Sequence, residues 1–283
     1  MNYRHAFHAG NHGDVLKHLV LIAVLDALSR KDTAWFVLDT HAGRGNYDLD
    51  AIEARRSGEA DAGIRRLAAT RALPPLAARY LQLVRGVDPA NATLVHHYPG
   101  SPQIVATLLR PQDRAAFVEI EPAEAAALAA SFRNDRRIGV HCRDGYEALR
   151  GLLPPREKRG LVLIDPPYEL QAGEFDLVRH AIAEAHSRFP ASVLAAWYPI
   201  KDATTSARFL TGLQRAAIAP SLAVELTVHA RDSRVGLNGS GVVVLNPPWR
   251  LDETLAATLP AVHAALAPDG AGESVLRWLV ERP

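Results

Sequence analysis

Four apolar residues, Leu161 to Ile164, run into Asp165, Pro166, Pro167 and Tyr168. The apolar run has the composition of a buried strand, and the acid ends it. A carboxylate at the open end of such a strand can accept a hydrogen bond from an amine. The prolines fix φ and hold the Pro166 carbonyl where it can accept a second one. Two such acceptors suit the exocyclic amine of a nucleobase. Its lone pair is delocalised into the ring, and the nitrogen must pyramidalise before it can be alkylated. Tyr168 offers a face on which an everted base could stack. Such a unit works by orientation and electrostatics and needs no strong base. The plainer alternative is a strand stopped by two prolines, with Tyr168 as core packing.

A second candidate is the turn Asp39-Thr40-His41-Ala42-Gly43-Arg44-Gly45. Glycines in a turn let a ligand approach the backbone, because no Cβ stands in the way. An ordinary tight turn is the alternative. The position favours a ligand, since the turn follows a strand and opens an α/β alternation. Glu119 closes the next strand and could accept hydrogen bonds from ribose hydroxyls. Asp144, in HCRDGY, could take an adenine amino group. Either could be a solvated loop acid, but acids at three successive strand ends, Asp39, Glu119 and Asp144, form a pattern. Glu119 lies far beyond the ~20 residues of the dinucleotide fingerprint. The stretch before it must therefore loop out of the sheet. A rival to Asp165 is Asn246-Pro247-Pro248-Trp249. Asp165 is preferred because its strand, the fourth in the alternation, lies beside the first in the usual order. The Asn246 segment reads as structural or as a pocket wall.

The elements that must position these residues follow from apolar spacing. Residues 14–32 read as a helix, and 34–47 as strand, turn and a new element. Strands are expected at 115–122, 137–142, 161–165 and 192–199, and helices at 123–134, 145–153 and 174–189. The alternation implies an α/β fold with a largely parallel sheet. Residues 221–230 and 241–249 lack a helix between them and predict a hairpin, hence an antiparallel strand. A last helix spans 251–266, divided at Pro260. Residues 49–109 are too long for a plain connection and read as an inserted helical subdomain. The main domain is then 1–48 and 110–283.

Composition narrows the function. With 48% hydrophobic residues the chain of 283 can bury a sizeable core. A formal net charge of +1 excludes coating nucleic acid by bulk charge, so any such contact is a local patch. Cys142 is the single cysteine, which excludes an intramolecular disulfide and an all-cysteine metal site. It sits in an apolar strand, where a buried thiol is expected. The polar N-terminus lacks a signal-peptide core, and no run of ~18 apolar residues predicts a membrane span. A cytoplasmic protein, a monomer, is expected. His5, His8, His12 and His18 raise a metal reading, which is disfavoured: Gly10-Asn11 breaks any helix aligning them, and soft partners are missing. A loop with Tyr3, Arg4, His5 and Lys17 better suits phosphate and base contacts. Arg156 to Arg159 reads as a solvated loop adjoining the catalytic strand, within reach of a phosphate.

Asp39-x-His41-x-Gly43-x-Gly45 with Asp165-Pro-Pro-Tyr168 resembles motifs I and IV of the S-adenosylmethionine-dependent amino-methyltransferases. YRHAFHAGNHGDVLKH (3–18), LDTHAGRG (38–45), YPGSP (98–102), LIDPPYE (163–169), WYP (197–199) and SGVVVLNPPW (240–249) together resemble the RlmJ family of 23S ribosomal RNA adenine-N6-methyltransferases. The resemblance implies a Rossmann-like class I methyltransferase domain, with a mostly parallel seven-stranded sheet, one antiparallel strand and a helical insertion. It implies S-adenosyl-L-methionine as cofactor, S-adenosyl-L-homocysteine as product and 23S ribosomal RNA as partner. Lys17, His18, His41, Gly43, Ser101, Glu119, Asp144, Gly145 and Asp165 would meet the cofactor. Asp165, Pro166 and Tyr168 would be catalytic, and Tyr3, Arg4 and Tyr168 would meet the substrate. DNA-modifying relatives carry Phe where His41 stands, which leans toward the ribosomal branch. The residues alone leave open an amino-methyltransferase acting on DNA or on a protein glutamine, and a noncatalytic nucleic-acid binder.

Overall fold

The computed structural model describes residues 5–168 and 173–282. A 3-10 turn, His5–Phe7, leads to helix α1, His12–Ser29. Asn11 caps α1 by accepting the Asp14 N–H at 2.9 Å. Strand β1, Phe36–Asp39, and the short β2, Asn46–Asp48, follow. The next stretch holds α2, Ile52–Ser57, a π turn at Asp61–Arg65 that runs into α3, Arg66–Ala68, and α4, Pro75–Arg85. After a 3-10 turn at Pro89–Ala92 come β3, His97–Pro99, and α5, Ser101–Leu108. The alternation then proceeds through β4, Arg114–Glu119; α6, Pro122–Ser131; β5, Ile138–Cys142; α7, Gly145–Leu152; and β6, Gly160–Ile164. It continues with α8, Glu174–Arg188; β7, Val193–Ile200; and α9, Ala203–Ala216. The tail is β8, Ser221–Thr227; β9, Gly239–Leu245; α10, Leu251–Ala256; α11, Leu259–Leu266; and β10, Glu273–Val280.

The main sheet has eight strands in the order β10-β8-β9-β7-β6-β1-β4-β5. β5, β4, β1, β6 and β7 are mutually parallel. β9 runs antiparallel to both β7 and β8, and β10 antiparallel to β8. The expected α/β class holds, with one strand more than the expected seven and two reversed strands. β10 escapes a reading by pattern because it is an edge strand, mostly half-exposed, without clean alternation of burial. The helix α9 was also not among those expected. Its Thr, Ser and Gly residues weaken intrinsic propensity, and the Asp202 cap, accepting the Thr205 N–H at 2.7 Å, starts it.

Two apolar clusters flank the sheet. One contains α1, α4, α5, α6, α10 and α11 side chains, and the other those of α7, α8 and α9. α1 is buried around nearly its whole circumference, as a core helix rather than a surface one. β2, just before residue 49, pairs with β3 inside the 49–109 stretch as a separate ribbon. Ile64, Leu67, Tyr80 and Val84 share one core with α1. α5 lies back against β1 and β4 as the crossover helix between them. No helix among the described residues is long and apolar enough to cross a membrane.

Two local expectations need correction. Cys142 is exposed, not buried, because it ends β5, the outermost parallel strand. The Arg156–Arg159 loop precedes β6 and so lies at the end of that strand opposite Asp165. Its Arg159 is tied to the end of α1, donating to the Leu28 carbonyl at 2.6 Å.

Gly160 starts β6 where it pairs with Phe36 of β1. A Cβ there would stand 2.0 Å from the Phe36 carbonyl oxygen. Gly160→Ala is expected to destabilise the fold by about 1–3 kcal/mol, the scale of overpacking a core. Urea unfolding monitored by tryptophan fluorescence measures it; an unchanged midpoint would contradict this packing.

Candidate active site

β1 is hydrogen-bonded to β4 on one side and β6 on the other, so the chain reverses its direction of winding there. Crevices at such switch points, at the carboxyl ends of the strands, bind ligands in open α/β sheets. The Thr40 N–H and hydroxyl both donate to the Leu163 carbonyl at 3.0 Å, joining the turn after β1 to the end of β6. Asp39 and Asp165 are thereby brought to the same edge, as the strand order predicted.

Asp165 Oδ2 lies 2.6 Å from Lys17 Nζ, and the same ammonium lies 2.8 Å from Asp14 Oδ1. The side chains of Lys17 and Asp14 are 6% and 3% exposed, that of Asp165 16%. Burial alone would lower the Lys17 pKa, but Asp14 and Asp165 outweigh it and hold the ammonium well above its usual range. Burial would raise Asp14, yet Lys17 and His5 keep it well below the usual carboxylate range. Asp14 Oδ2 also accepts the Gly10 N–H at 2.9 Å and meets His5 Nε2 at 3.1 Å. Lys17 was expected near cofactor or phosphate; here it is sunk beneath Asp165 as that carboxylate's partner. Among the described residues Asp165 Oδ1 has no hydrogen-bond partner.

Pro166 is buried, and Tyr168 adopts a φ of 51°, the left-handed region. Its hydroxyl donates to the Trp197 carbonyl at 2.8 Å. The ring packs 4.9 Å from Phe175 and 5.8 Å from Trp197, centroid to centroid, and is 2% exposed. The expected open stacking face is therefore covered in this structure, because the ring is drawn into the core and anchors the turn. Trp197 is the partly exposed aromatic beside the site. The register of Ile164 with Ala196 puts Asp165, just past the end of β6, beside Trp197 within β7.

The other predicted residues converge on this edge. Ser101 Oγ donates to Asp39 Oδ2 at 2.6 Å, and the His41 N–H to Asp39 Oδ1 at 3.2 Å. Burial, reinforced by Asp165 and opposed by the Ser101 bond, pushes Asp39 up to about 6. Glu119 accepts the Gly43 N–H and the Glu121 N–H, each at 2.8 Å. Gly43 has a φ of 62°, and a Cβ there would strike the Tyr47 hydroxyl at 2.2 Å. Asp144 Oδ1 caps α7 through the Tyr146 and Glu147 N–H groups at 2.8 and 2.9 Å. A Cβ on Gly145 would stand 2.0 Å from the Thr40 carbonyl, so only glycine lets α7 begin against the β1 turn. His41 Nδ1 is 2.8 Å from Thr40 Oγ1, and burial lowers the ring to about 4. His18 is fully buried and stacked on Tyr98, whose hydroxyl is 2.8 Å from Nδ1; burial lowers it to about 3. Among the described residues its Nε2 has no partner. A buried polar atom in that state favours a bound polar group.

Tyr3 and Arg4 lie outside the described residues. No cluster of His, Cys, Asp or Glu among the described residues could hold a metal ion. Asn246 follows β9, which runs against β7, so its Pro-Pro-Trp turn falls at the opposite edge. There its amide donates to the Pro190 and Ser192 carbonyls at 2.9 and 3.0 Å, a structural role. Three residues of the site were not anticipated. Asp14 could have been found three positions before Lys17 on one helix face. Ile120, 46% exposed beside Glu119, is an apolar surface an adenine ring could cover. Trp197 opens the WYP motif (197–199), but that motif by itself assigned it no role.

A doubly wound sheet, closed by reversed strands and lined with acids at its switch point, defines a class I methyltransferase. A family model described as "Ribosomal RNA large subunit methyltransferase D, RlmJ" matches residues 32–280, and the chain belongs to the RlmJ family. It is 41% identical over 279 residues to "Ribosomal RNA large subunit methyltransferase J" of Haemophilus influenzae, covering 99% of both chains. The protein of the same name from Escherichia coli is 39% identical over 280 residues, again covering 99% of both. The crystal structure of protein LPL1258 from Legionella pneumophila superposes with a TM-score of 0.87 at 31% identity, covering 95% of this chain and 98% of that one.

The buried groups fix a pH dependence. His18, His41 and His12, lowered by burial to about 3, 4 and 4, titrate near 6.5 when unfolded. Between pH 6.5 and about 4 the unfolded chain therefore binds more protons, and these groups reduce stability as pH falls. Asp39 opposes them: raised to about 6 from 3.8, it binds its proton first in the folded state, so it adds stability as pH falls through that window. Asp39→Asn is expected to steepen the acid-side fall in melting temperature. Identical pH slopes for the two proteins would contradict the buried, ionisation-resistant Asp39.

Proposed function

We infer that this chain transfers a methyl group from S-adenosylmethionine to the N6 amine of an adenine in 23S ribosomal RNA. The observation that carries the reading is the Asp165 carboxylate at the end of β6, with Oδ2 held by Lys17 at 2.6 Å and Oδ1 free to accept. The family to which the chain belongs supports the substrate class.

The cofactor, when bound, supplies an electrophilic methyl group on a sulfonium. Glu119 keeps unused lone pairs on both oxygens for ribose hydroxyls, and its backbone bonds fix its direction. Asp144 has Oδ1 committed to the α7 cap, leaving Oδ2 for an adenine amino group. His18 Nε2 and the neutral His41 ring offer polar contacts without added charge. Asp165 Oδ1 accepts one hydrogen of the target amine, and the Pro166 carbonyl takes the other. The nitrogen lone pair is then turned toward the methyl donor. Pro166 and the anchored Tyr168 limit the motion of that corner, so the alignment is prepaid. Tyr3 and Arg4 keep the substrate contacts that the family resemblance gives them.

With a net charge of +1, RNA contacts come from local groups. Action on ribosomal RNA supports a cytoplasmic location, and the described site residues all come from one copy of the chain, which supports a monomer.

Asp165→Ala is expected to lower methyl transfer to unmodified 23S ribosomal RNA by about 10²-fold or more. Transfer of labelled methyl from S-adenosylmethionine measures it, with a melting curve as the check on folding. Turnover near the unmutated level in a folded variant would remove Asp165 from the reaction.

A further inference from the structure

Besides Tyr98 on His18 and Ser101 on Asp39, the inserted segment meets the loop His5–Asn11 in front of α1. Glu59 Oε1 lies 2.8 Å from His8 Nδ1, and Glu59 Oε2 accepts the Asn11 side-chain N–H at 2.9 Å. The Ser57 hydroxyl donates to the Phe7 carbonyl, and the Ile64 N–H to the Gly10 carbonyl at 2.8 Å. The two backbones meet directly at Gly63, where a Cβ would stand 2.0 Å from the Gly10 oxygen. Gly63 departs from helical geometry inside the π turn, with φ −101° and ψ −111°. Irregular turns of this kind mark functional positions more often than regular helix does.

The bonds continue inward from Glu59. Asn11 Oδ1 accepts the Asp14 N–H at 2.9 Å, and the Gly10 N–H donates to Asp14 Oδ2 at 2.9 Å. Asp14 Oδ1 meets Lys17 Nζ at 2.8 Å, and Lys17 meets Asp165 at 2.6 Å. Glu59 is 34% exposed on its side chain and belongs to neither apolar cluster, so packing does not explain its place.

We propose that Glu59 is a positioning residue for methyl transfer: it fastens the inserted segment to the start of α1 and, through Asn11, Asp14 and Lys17, sets the aim of Asp165. This rests on the reading of Asp165 as the acceptor for the target amine. The carboxylate is suited to the task because each oxygen takes one donor, on two sides of the Gly10 bend. Releasing it frees the Asn11 side chain, and with it the cap that fixes the Asp14 backbone. Small errors in alignment at the reacting atoms cost rate rather than substrate affinity.

Glu59→Ala is expected to lower kcat about tenfold, with KM for 23S ribosomal RNA and affinity for S-adenosylmethionine changed by less than about twofold. Glu59→Gln should recover most of the rate, since its amide oxygen still accepts from Asn11. Asn11→Asp keeps the cap oxygen but sets a second carboxylate against Glu59, and should lower kcat as Glu59→Ala does. Combining Asn11→Asp with Glu59→Gln should restore it, because the new amide donates to the new carboxylate. A merely structural role would lower the melting temperature and the active fraction without this pairwise rescue. Unaltered kcat in Glu59→Ala, or no rescue in the double variant, overturns the proposal. Asp165→Ala, measured alongside, separates the two readings. If it stays active, the acceptor assignment fails; if it is inactive while Glu59→Ala is normal, the positioning role alone fails.

Discussion

Lys17 carries a positive charge in the interior of the protein, on a helix that is otherwise nearly all core. An ammonium in such a place is costly unless oxygen atoms surround it. Asp14, one turn earlier on the helix, supplies one carboxylate, and Asp165 supplies the other across 148 positions of sequence. Lys17 is the member on which the triad depends, because removing it leaves two carboxylates without their shared buried cation. The start of α1 and the end of β6 are therefore held in one register. The rest of the site is arranged around that register.

The remaining acids follow a common economy. Asp39 is used by Ser101 and the His41 backbone, Glu119 by two backbone N–H groups, and Asp144 by the first turn of α7. Each is oriented by bonds within the protein and retains lone pairs toward the crevice. Neutral histidines and apolar surface fill the space between them. A polar ligand meets donors and acceptors whose directions are already set, which is how a site lowers the cost of ordering.

Two Pro-Pro-aromatic turns on one sheet make the role of direction plain. Both follow apolar strands, and in each the aromatic comes third after the polar residue. β6 runs parallel to β1 and delivers Asp165 to the switch point, whereas β9 runs the other way and delivers Asn246 to the far edge. There Asn246 closes a loop by donating to two carbonyls. The inserted stretch shows a similar division of labour. Its apolar residues join the core beside α1, while Glu59, Ser57 and Ile64 hold the loop that precedes that helix.

The strands and helices of the α/β alternation were legible in the chain because apolar spacing differs between a buried strand and a helix. The acids at strand ends were legible because a charge after an apolar run marks the point where the chain leaves the core. The edge strand β10 and helix α9 were not, since half-exposed elements with mixed residues carry little periodic signal. Cys142 misled for a related reason: an apolar neighbourhood in sequence does not say whether a strand is central or at the rim. The sequence by itself determined which side chains could do the chemistry and the kind of fold that would gather them. The tertiary structure decided which of them touch. It sank Lys17 beneath Asp165, drew the Tyr168 ring into the core and brought Trp197 beside the site, because those outcomes depend on strand order and on pairing buried charges across distant segments.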